Sequence, residues 1–157
     1  MEYDEVNAVL RHKNGRLYWK VHKYQRLVGT EITNLDRYGY VTLRIAGRWF
    51  FAHRVIWLLV YGNWPERFLD HIDGDKSNNH PSNLRLATSS QNSANRRVNG
   101  KVPFKGVVMH EDGKFQVTCA RKYIGLYESA EAAARAYDKA AIERYGSFAR
   151  LNFGSTT

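Results

Sequence analysis

The 157-residue chain is 43% hydrophobic and 13% aromatic, a globular composition that excludes an intrinsically disordered protein. No stretch approaches the roughly 20 apolar residues that a membrane-spanning helix needs, so we expect no membrane partner. Lys and Arg outnumber Asp and Glu by 24 to 15, and both 1–98 and 99–157 are basic, which favours a long polyanion such as nucleic acid over one local acidic ligand.

The first 52 residues are predicted to form short strands and turns. Their acidic start, Met-Glu-Tyr-Asp-Glu, lacks the basic and apolar regions of a secretory signal, so we expect a soluble cytoplasmic protein. An apolar run at 17–21 follows the dipeptide Asn14-Gly15, which is a hairpin turn signal. The sequence therefore predicts a strand after this turn.

A hairpin is predicted from apolar residues near 40–45 and 49–52, which a turn at Gly47 separates. Arg44 and Arg48 would project from this hairpin, and both are candidate DNA contacts. Their basic side chains suit the phosphate backbone.

At His53 the apolar pattern changes from that of a strand to that of a helix. The following segment is strongly apolar until Gly62 and Pro65 end it, and such a helix usually packs in a domain core. His53 and Arg54 stand at the helix start. Two interpretations of them remain open, contact with a DNA phosphate or structural capping and packing, and Arg54 is retained as a candidate DNA contact.

The next segment is predicted to be a strand, a loop, a strand and a helix. Residues 66–83 are rich in Asp, Asn and Ser, which favour turns and loops, and a short strand follows at 84–87. Thr88 and Gln91 match the capping box, so a helix should run from about 89 to 97.

Four polar residues of this segment are candidates for catalysis: Asp70, His71, Asn83 and Asn92. Phosphodiester hydrolysis requires an activated water, a cation that stabilises charge on the phosphate, and rigid placement of both. A neutral imidazole such as that of His71 can accept a proton near physiological pH. Asp70 points to the other face of the strand, so one side chain could hold a metal while the other faces water.

The amide oxygen of Asn92, in the first turn of the capped helix, could bind the same cation as Asp70. One carboxylate and one amide oxygen, completed by water and phosphate, suit one Mg²⁺ or Mn²⁺ ion and not zinc. Cys119 is the only cysteine, so no structural zinc is expected. Asn83 is a natural brace, because its amide can satisfy backbone groups of the loop.

The loop has two other interpretations. An EF-hand calcium loop is excluded, because counting from Asp73 places Asn78 where glycine is required and Leu84 where glutamate is required. A purely structural loop rich in Asp and Asn remains open on residue types alone.

The order and spacing of the four residues resemble the ββα-metal motif of HNH endonucleases. Asn83 comes 12 residues after His71, and Asn92 comes nine residues later. The string Leu-Asp-His-Ile-Asp-Gly-Asp-Lys-Ser-Asn-Asn is similar to the phage and intron homing branch of that family, as are the upstream strings Ala-His-Arg-Val-Ile-Trp and Gly-Asn-Trp-Pro. The resemblance covers roughly residues 8–97.

This resemblance implies that His71 is the general base, that Asp70 and Asn92 are metal ligands, and that Asn83 holds the histidine loop. Asn92 stands where other members have histidine, a variant that implies a single, weakly held divalent ion. The resemblance to the homing branch also implies that the protein is located in the host cytoplasm of a phage-infected bacterium. Arg96 and Arg97 stand at the end of the predicted helix that bears Asn92, and both are candidate phosphate contacts. The alternative is that they form an ordinary solvated helix end.

A turn-rich joint at 99–103 precedes three short predicted strands between 104 and 127. Ser129 then caps an alanine-rich helix, residues 130–145, that ends at Gly146. Small residues on one face of this helix would let it lie close against the strands.

Basic and amide residues in or beside these strands would contact DNA if the sheet entered a major groove. They are Lys105, Lys114, Gln116, Arg121 and Lys122. The alternative is an ordinary solvated sheet face. The strings Phe-Lys-Gly-Val, Gly-Lys-Phe-Gln-Val, Tyr-Ile-Gly-Leu-Tyr and Ala-Arg-Leu-Asn-Phe are similar to the APETALA2/ethylene-response-factor DNA-binding domain over 104–153. The strands have fewer arginines than that family and no tryptophan pair, so a target sequence cannot be carried over.

The expected fold class is α+β. A small antiparallel sheet and a ββα-metal core at about 68–97 would form a nuclease domain at 1–98, and a three-stranded antiparallel sheet packed on one helix would form the domain at 104–153. The leading hypothesis is a homing-type endonuclease that nicks or cuts double-stranded DNA as a monomer or dimer. The alternatives are a non-catalytic, sequence-specific DNA-binding regulator and a structural basic protein associated with RNA or the ribosome.

Overall fold

The computed structural model describes residues 1–96, 98 and 101–154, and the chain divides into two compact units, Met1–Ala87 and Thr88–Thr157. The described elements are helices and small antiparallel sheets, so the predicted mixed class is confirmed. The division between the units comes earlier in the chain than the boundary expected near residue 98. No helix within the described residues has the length and apolar character to cross a membrane.

The first unit, which is described throughout, has two helices and three two-stranded antiparallel sheets, β1–β2, β3–β4 and β5–β6. Its elements in chain order are α1 Tyr3–Val9, β1 Leu10–Lys13, β2 Arg16–Trp19, β3 Thr42–Ile45, β4 Arg48–Phe51, α2 Ala52–Tyr61, β5 Phe68–His71 and β6 Leu84–Ala87. The predicted strand after the Asn14-Gly15 turn and the predicted hairpin near 40–52 are therefore confirmed, and β1, which precedes that turn, pairs with β2 in a further hairpin.

Helix α2 supplies much of the core of this unit. Val55, Ile56 and Leu58 are almost fully buried among side chains of the surrounding strands. Gly62 ends the helix in the left-handed conformation, with φ +80°, and its N–H donates to the carbonyl of Leu58. The helix and its end confirm the prediction.

Helix α1 was not predicted, and the expectation of only strands and turns before residue 52 was wrong there. Glu2 and Glu5 form a reciprocal capping box at its start, and Val6 is buried in the core beside α2. A helix of seven residues is too short to show a helical period of apolar residues.

The second unit, in its described part, contains α3 Ser89–Ala94, β7 Val107–Met109, β8 Phe115–Cys119, β9 Lys122–Tyr127 and α4 Ala130–Tyr145. The strands form an antiparallel sheet in the order β7–β8–β9, and alanines of α4 pack with its apolar residues. Close packing also requires Gly106, because a Cβ at this residue, with φ +74°, would overlap the buried ring of Tyr137.

Candidate active site

The β5–β6 hairpin places Asp70 and His71 side by side at the end of β5. Asp70 pairs with Arg85 of β6, and His71 pairs with Leu84. Asp70 and His71 are each only 4% exposed, so neither side chain faces open water. Burying a carboxylate or an imidazole costs free energy unless the group is hydrogen-bonded or paired with an opposite charge, so both side chains need specific partners.

Arg85 holds the carboxylate of Asp70. Its Nε and Nη2 lie 2.9 and 2.8 Å from Oδ2 of Asp70, and both side chains are largely shielded from water. Two donors from one planar guanidinium fix the orientation of the carboxylate. Arg85 was not among the predicted site residues, although antiparallel pairing of the two strands places it directly opposite Asp70.

Asn79 orients the imidazole of His71. Its Oδ1 lies 2.9 Å from Nε2 of His71, and both residues are buried. An amide oxygen only accepts hydrogen bonds, so this contact fits the tautomer in which Nε2 carries the proton. In the neutral ring the lone pair is then on Nδ1, which is the atom that can accept a proton from water. Asn79 was also missed, because nothing in its spacing separates it from the other asparagines of the loop.

Asn83 ties the two ends of the loop together. Its Oδ1 accepts the N–H of Asp73 at 3.1 Å, and its Nδ2 donates to Oδ1 of Asp73 at 3.0 Å and to the carbonyl of Asn78 at 2.8 Å. Burial alone would raise the pKa of Asp73, but hydrogen bonds from Asn78 and Asn83 outweigh it and lower that pKa. These contacts have the geometry of the brace that was predicted for Asn83.

A second histidine, His53 at the start of α2, packs edge-on against His71. Their ring centroids are 5.1 Å apart, and the rings of Tyr40 and Phe51 also lie against His53. Within the described residues, Nδ1 of His53 is a buried side-chain nitrogen without a hydrogen-bond partner. Burial, followed by the charges of His71 and Arg54, lowers the pKa of His53 to about 3, so its ring stays neutral beside His71.

Asn92 lies on α3 and therefore belongs to the second unit. The predicted capping box is confirmed: Oγ1 of Thr88 accepts the N–H of Gln91 at 3.2 Å, and Oε1 of Gln91 accepts the N–H of Thr88 at 2.8 Å. The helix ends at Ala94, before the predicted end at 97. The two predicted metal ligands, Asp70 and Asn92, thus fall in separate units.

Each of the two predicted ligands has a donor atom of the kind that a divalent cation binds. Asp70 offers an oriented carboxylate and Asn92 an amide oxygen, both of which are ligands that Mg²⁺ and Mn²⁺ accept. Because Arg85 contacts one oxygen of Asp70, this carboxylate attracts a cation less strongly than an unpaired one would. The described residues contain no group of three or more His, Cys, Asp or Glu that could hold a metal. The expected ligands, one aspartate and one asparagine, do not make up such a group.

The predicted DNA contacts of the first unit lie on β3, β4 and α2. Arg44 and Arg48 are exposed, and Nε of Arg44 donates to the carbonyl of Gly47 in the hairpin turn at 3.0 Å. Arg54 is less exposed, and its Nη2 lies 3.4 Å from the carbonyl of Pro65. The structure thus brings Arg44 and Arg48 together on one hairpin, whereas the side chain of Arg54 contacts the segment that follows α2.

The predicted contacts of the second unit have different environments. Arg96 is exposed, whereas Arg97 lies outside the described residues. The ammonium of Lys105 donates to the carbonyls of Ala94 and Arg96, so it contacts the end of α3. The remaining four residues, Lys114, Gln116, Arg121 and Lys122, lie on the sheet or its turns. The ammonium of Lys114 is 2.6 Å from a carboxylate oxygen of Glu128. Gln116 is half-buried, whereas Arg121 and Lys122 are exposed.

Comparison with known proteins finds similarity to HNH endonucleases over the segment that contains the site. A family model described as HNH endonuclease matches residues 50–94. An uncharacterized HNH endonuclease of Acanthamoeba polyphaga mimivirus is 36% identical over 106 residues, which is 64% of this chain and 56% of the relative. An ethylene-responsive transcription factor of Arabidopsis thaliana is 34% identical over 98 residues, which is 57% of this chain and 61% of the relative.

The chain therefore spans little more than half the length of these two relatives. No solved structure matches it at a significant level. Asp70, His71, Asn83 and Asn92 all lie within the segment that the HNH endonuclease family model matches.

Proposed function

We propose that this chain is a metal-dependent DNA endonuclease, with His71 as general base and Asp70 and Asn92 holding one Mg²⁺ or Mn²⁺ ion. The observation that carries the proposal is the buried pair Asp70 and His71, whose carboxylate and imidazole are oriented by Arg85 and Asn79. The HNH endonuclease match over residues 50–94 supports the same activity.

In the proposed reaction, the bound cation would stabilise negative charge that develops on the scissile phosphate. His71 accepts the proton of the attacking water at Nδ1, because Asn79 keeps a proton on Nε2. The neutral His53 packs against this ring and adds no competing positive charge. Arg85 holds the Asp70 carboxylate in one orientation before substrate arrives, which reduces the reorganisation that the reaction requires.

We also propose that the second unit binds duplex DNA and that the enzyme is of the homing type. The similarity to an ethylene-responsive transcription factor and the basic charge of both portions of the chain support this role. A linked DNA-binding unit would raise the effective concentration of the nuclease at its site and lengthen the sequence it selects.

A DNA-binding regulator without catalytic activity is the second candidate. It is favoured by the transcription-factor relative. It does not account for the oriented Asp70 and His71, because DNA binding alone requires neither a fixed imidazole tautomer nor a buried carboxylate.

A plasmid assay separates the two candidates. Supercoiled DNA incubated with the protein and Mg²⁺ or Mn²⁺ should be nicked or linearised, and a chelator should prevent this. His71→Ala should lower the cleavage rate by at least about 100-fold and leave DNA affinity nearly unchanged. His80→Ala, an exposed histidine of the same loop, is the control and should cut like the unmodified chain. DNA binding without cleavage by the unmodified chain would establish the regulator, and equal cleavage by His71→Ala would remove His71 from the mechanism.

A further inference from the structure

We infer that the outer face of the β7–β8–β9 sheet selects A·T base pairs in the major groove. Gln116 would recognise adenine, and the aliphatic side chains beside it would contact thymine methyl groups. This inference rests on the proposed DNA-binding role of the second unit, and it adds the class of base pair that this unit prefers.

The outer face is the side of the sheet that α4 leaves uncovered. Val108, Gln116 and Leu126 form one row across the three strands. A register shift after Val117 then pairs Thr118 with Tyr123. Val108 is 62% exposed, Tyr123 57% and Leu126 40%, which is unusual exposure for apolar and aromatic side chains in a sheet.

The chemistry of this face matches A·T pairs. Gln116 occupies the middle strand, and among the described residues its side-chain amide has no hydrogen-bond partner. Glutamine can bond adenine N6 and N7 together, while aliphatic side chains contact the C5-methyl group of thymine. Val108 and Leu126 flank Gln116 in the row and provide such contacts. Guanine is most often recognised by arginine or lysine, and neither occurs in this row or in the adjacent pair of Thr118 and Tyr123.

Positive charge lies beside this face and not on it. Arg121 and Lys122 are exposed at the turn between β8 and β9, next to Tyr123. They can contact phosphates while the uncharged rows approach the base edges. A flanking pair of cations and an uncharged face together suit duplex DNA better than they suit an apolar protein surface.

The test uses the full chain carrying His71→Ala, so that DNA is bound and not cut. Fluorescence anisotropy would compare three duplexes at one salt concentration: a mixed A·T-rich duplex without A-tracts, a G·C-rich duplex, and the A·T-rich duplex with every thymine replaced by uracil. Uracil lacks only the methyl group, which lies in the major groove. We expect at least about five-fold tighter binding of the A·T-rich duplex than of the G·C-rich one, and a several-fold loss with uracil.

Two further variants assign the preference to the face. Gln116→Ala and Leu126→Ala should each reduce the preference for A·T by about five-fold or more. Ile142→Ala removes an aliphatic side chain of similar exposure from α4 and should leave it unchanged. Equal binding of all three duplexes, or an unchanged preference in both face variants, would overturn the inference while leaving the DNA-binding role intact. Failure to bind any duplex would instead contradict the proposed function.

Discussion

Replacing Arg85 with methionine tests whether the Asp70 carboxylate is held as the structure indicates. The guanidinium donors lie 2.8 and 2.9 Å from Oδ2 of Asp70, and the two side chains are 16% and 5% exposed. At an effective dielectric constant of about 20, their attraction is about 6 kcal/mol, much of which desolvation offsets. Removing only the arginine leaves an uncompensated buried charge, so we expect the first unit to lose about 3–5 kcal/mol of stability.

The chain contains a natural reporter for this measurement. Its four tryptophans, Trp19, Trp49, Trp57 and Trp64, all lie in the first unit. Urea unfolding followed by tryptophan fluorescence therefore measures the free energy of unfolding of that unit separately from the second. A loss of about 3–5 kcal/mol is a large fraction of the stability of an ordinary domain and should shift the midpoint clearly.

A double variant and a cation complete the design. Asp70→Asn combined with Arg85→Met removes both charges and should recover most of the lost stability. Mn²⁺ should partly restore Arg85→Met, because a cation at Asp70 replaces the missing positive charge, and it should not stabilise the double variant. A loss below about 1 kcal/mol in Arg85→Met, or a double variant as unstable as the single one, would refute the assignment of this ion pair as a buried support of the site.

Three further expectations follow from other contacts. Gly106→Ala should destabilise the second unit by about 3 kcal/mol in circular-dichroism melts, because its Cβ would overlap Tyr137, whereas Gly113→Ala, with a similar φ of +82° and open space around it, should cost only about 1 kcal/mol. Because the pKa of His53 is lowered from 6.5 to about 3, the unfolded chain binds a proton that the folded chain excludes, so stability should fall below about pH 6.5 by up to about 1.4 kcal/mol per pH unit. His53→Phe should flatten that dependence in urea titrations between pH 7 and 5, and an unchanged slope would show that another group causes it. Asn79→Ala should lower kcat by about ten-fold or more with little change in KM, and a wild-type kcat would show that the imidazole needs no partner at Nε2.

Local signals in the sequence predicted several elements well. Helices α3 and α4 begin after Thr88 and Ser129, and α2 ends at Gly62, as their capping residues indicated. Caps satisfy backbone groups within a few residues, so they can be recognised without tertiary information. The short α1 could not be predicted in this way, because it depends on burial of Val6 in the core.

The site shows the same distinction between local and tertiary information. Residue type and spacing indicated Asp70 and His71 as candidates, whereas the contact of Asn79 with the imidazole exists only after the loop has folded. Arg85 was an intermediate case. Its position opposite Asp70 follows from strand register, but register was not assigned from the sequence.

Hydrogen bonds from residues later in the chain hold the end of α3, and they limit where this protein could be joined to another in a chimera. The Lys105 ammonium donates to carbonyls at the end of the helix, and the N–H of Arg150 donates to the carbonyl of Ala94 at 3.3 Å. A chimera that exchanged the C-terminal part at the turn-rich joint, 99–103, would remove both donors. Fusion before Thr88 would keep them, so the helix that bears the proposed amide ligand should be inherited together with the unit that follows it.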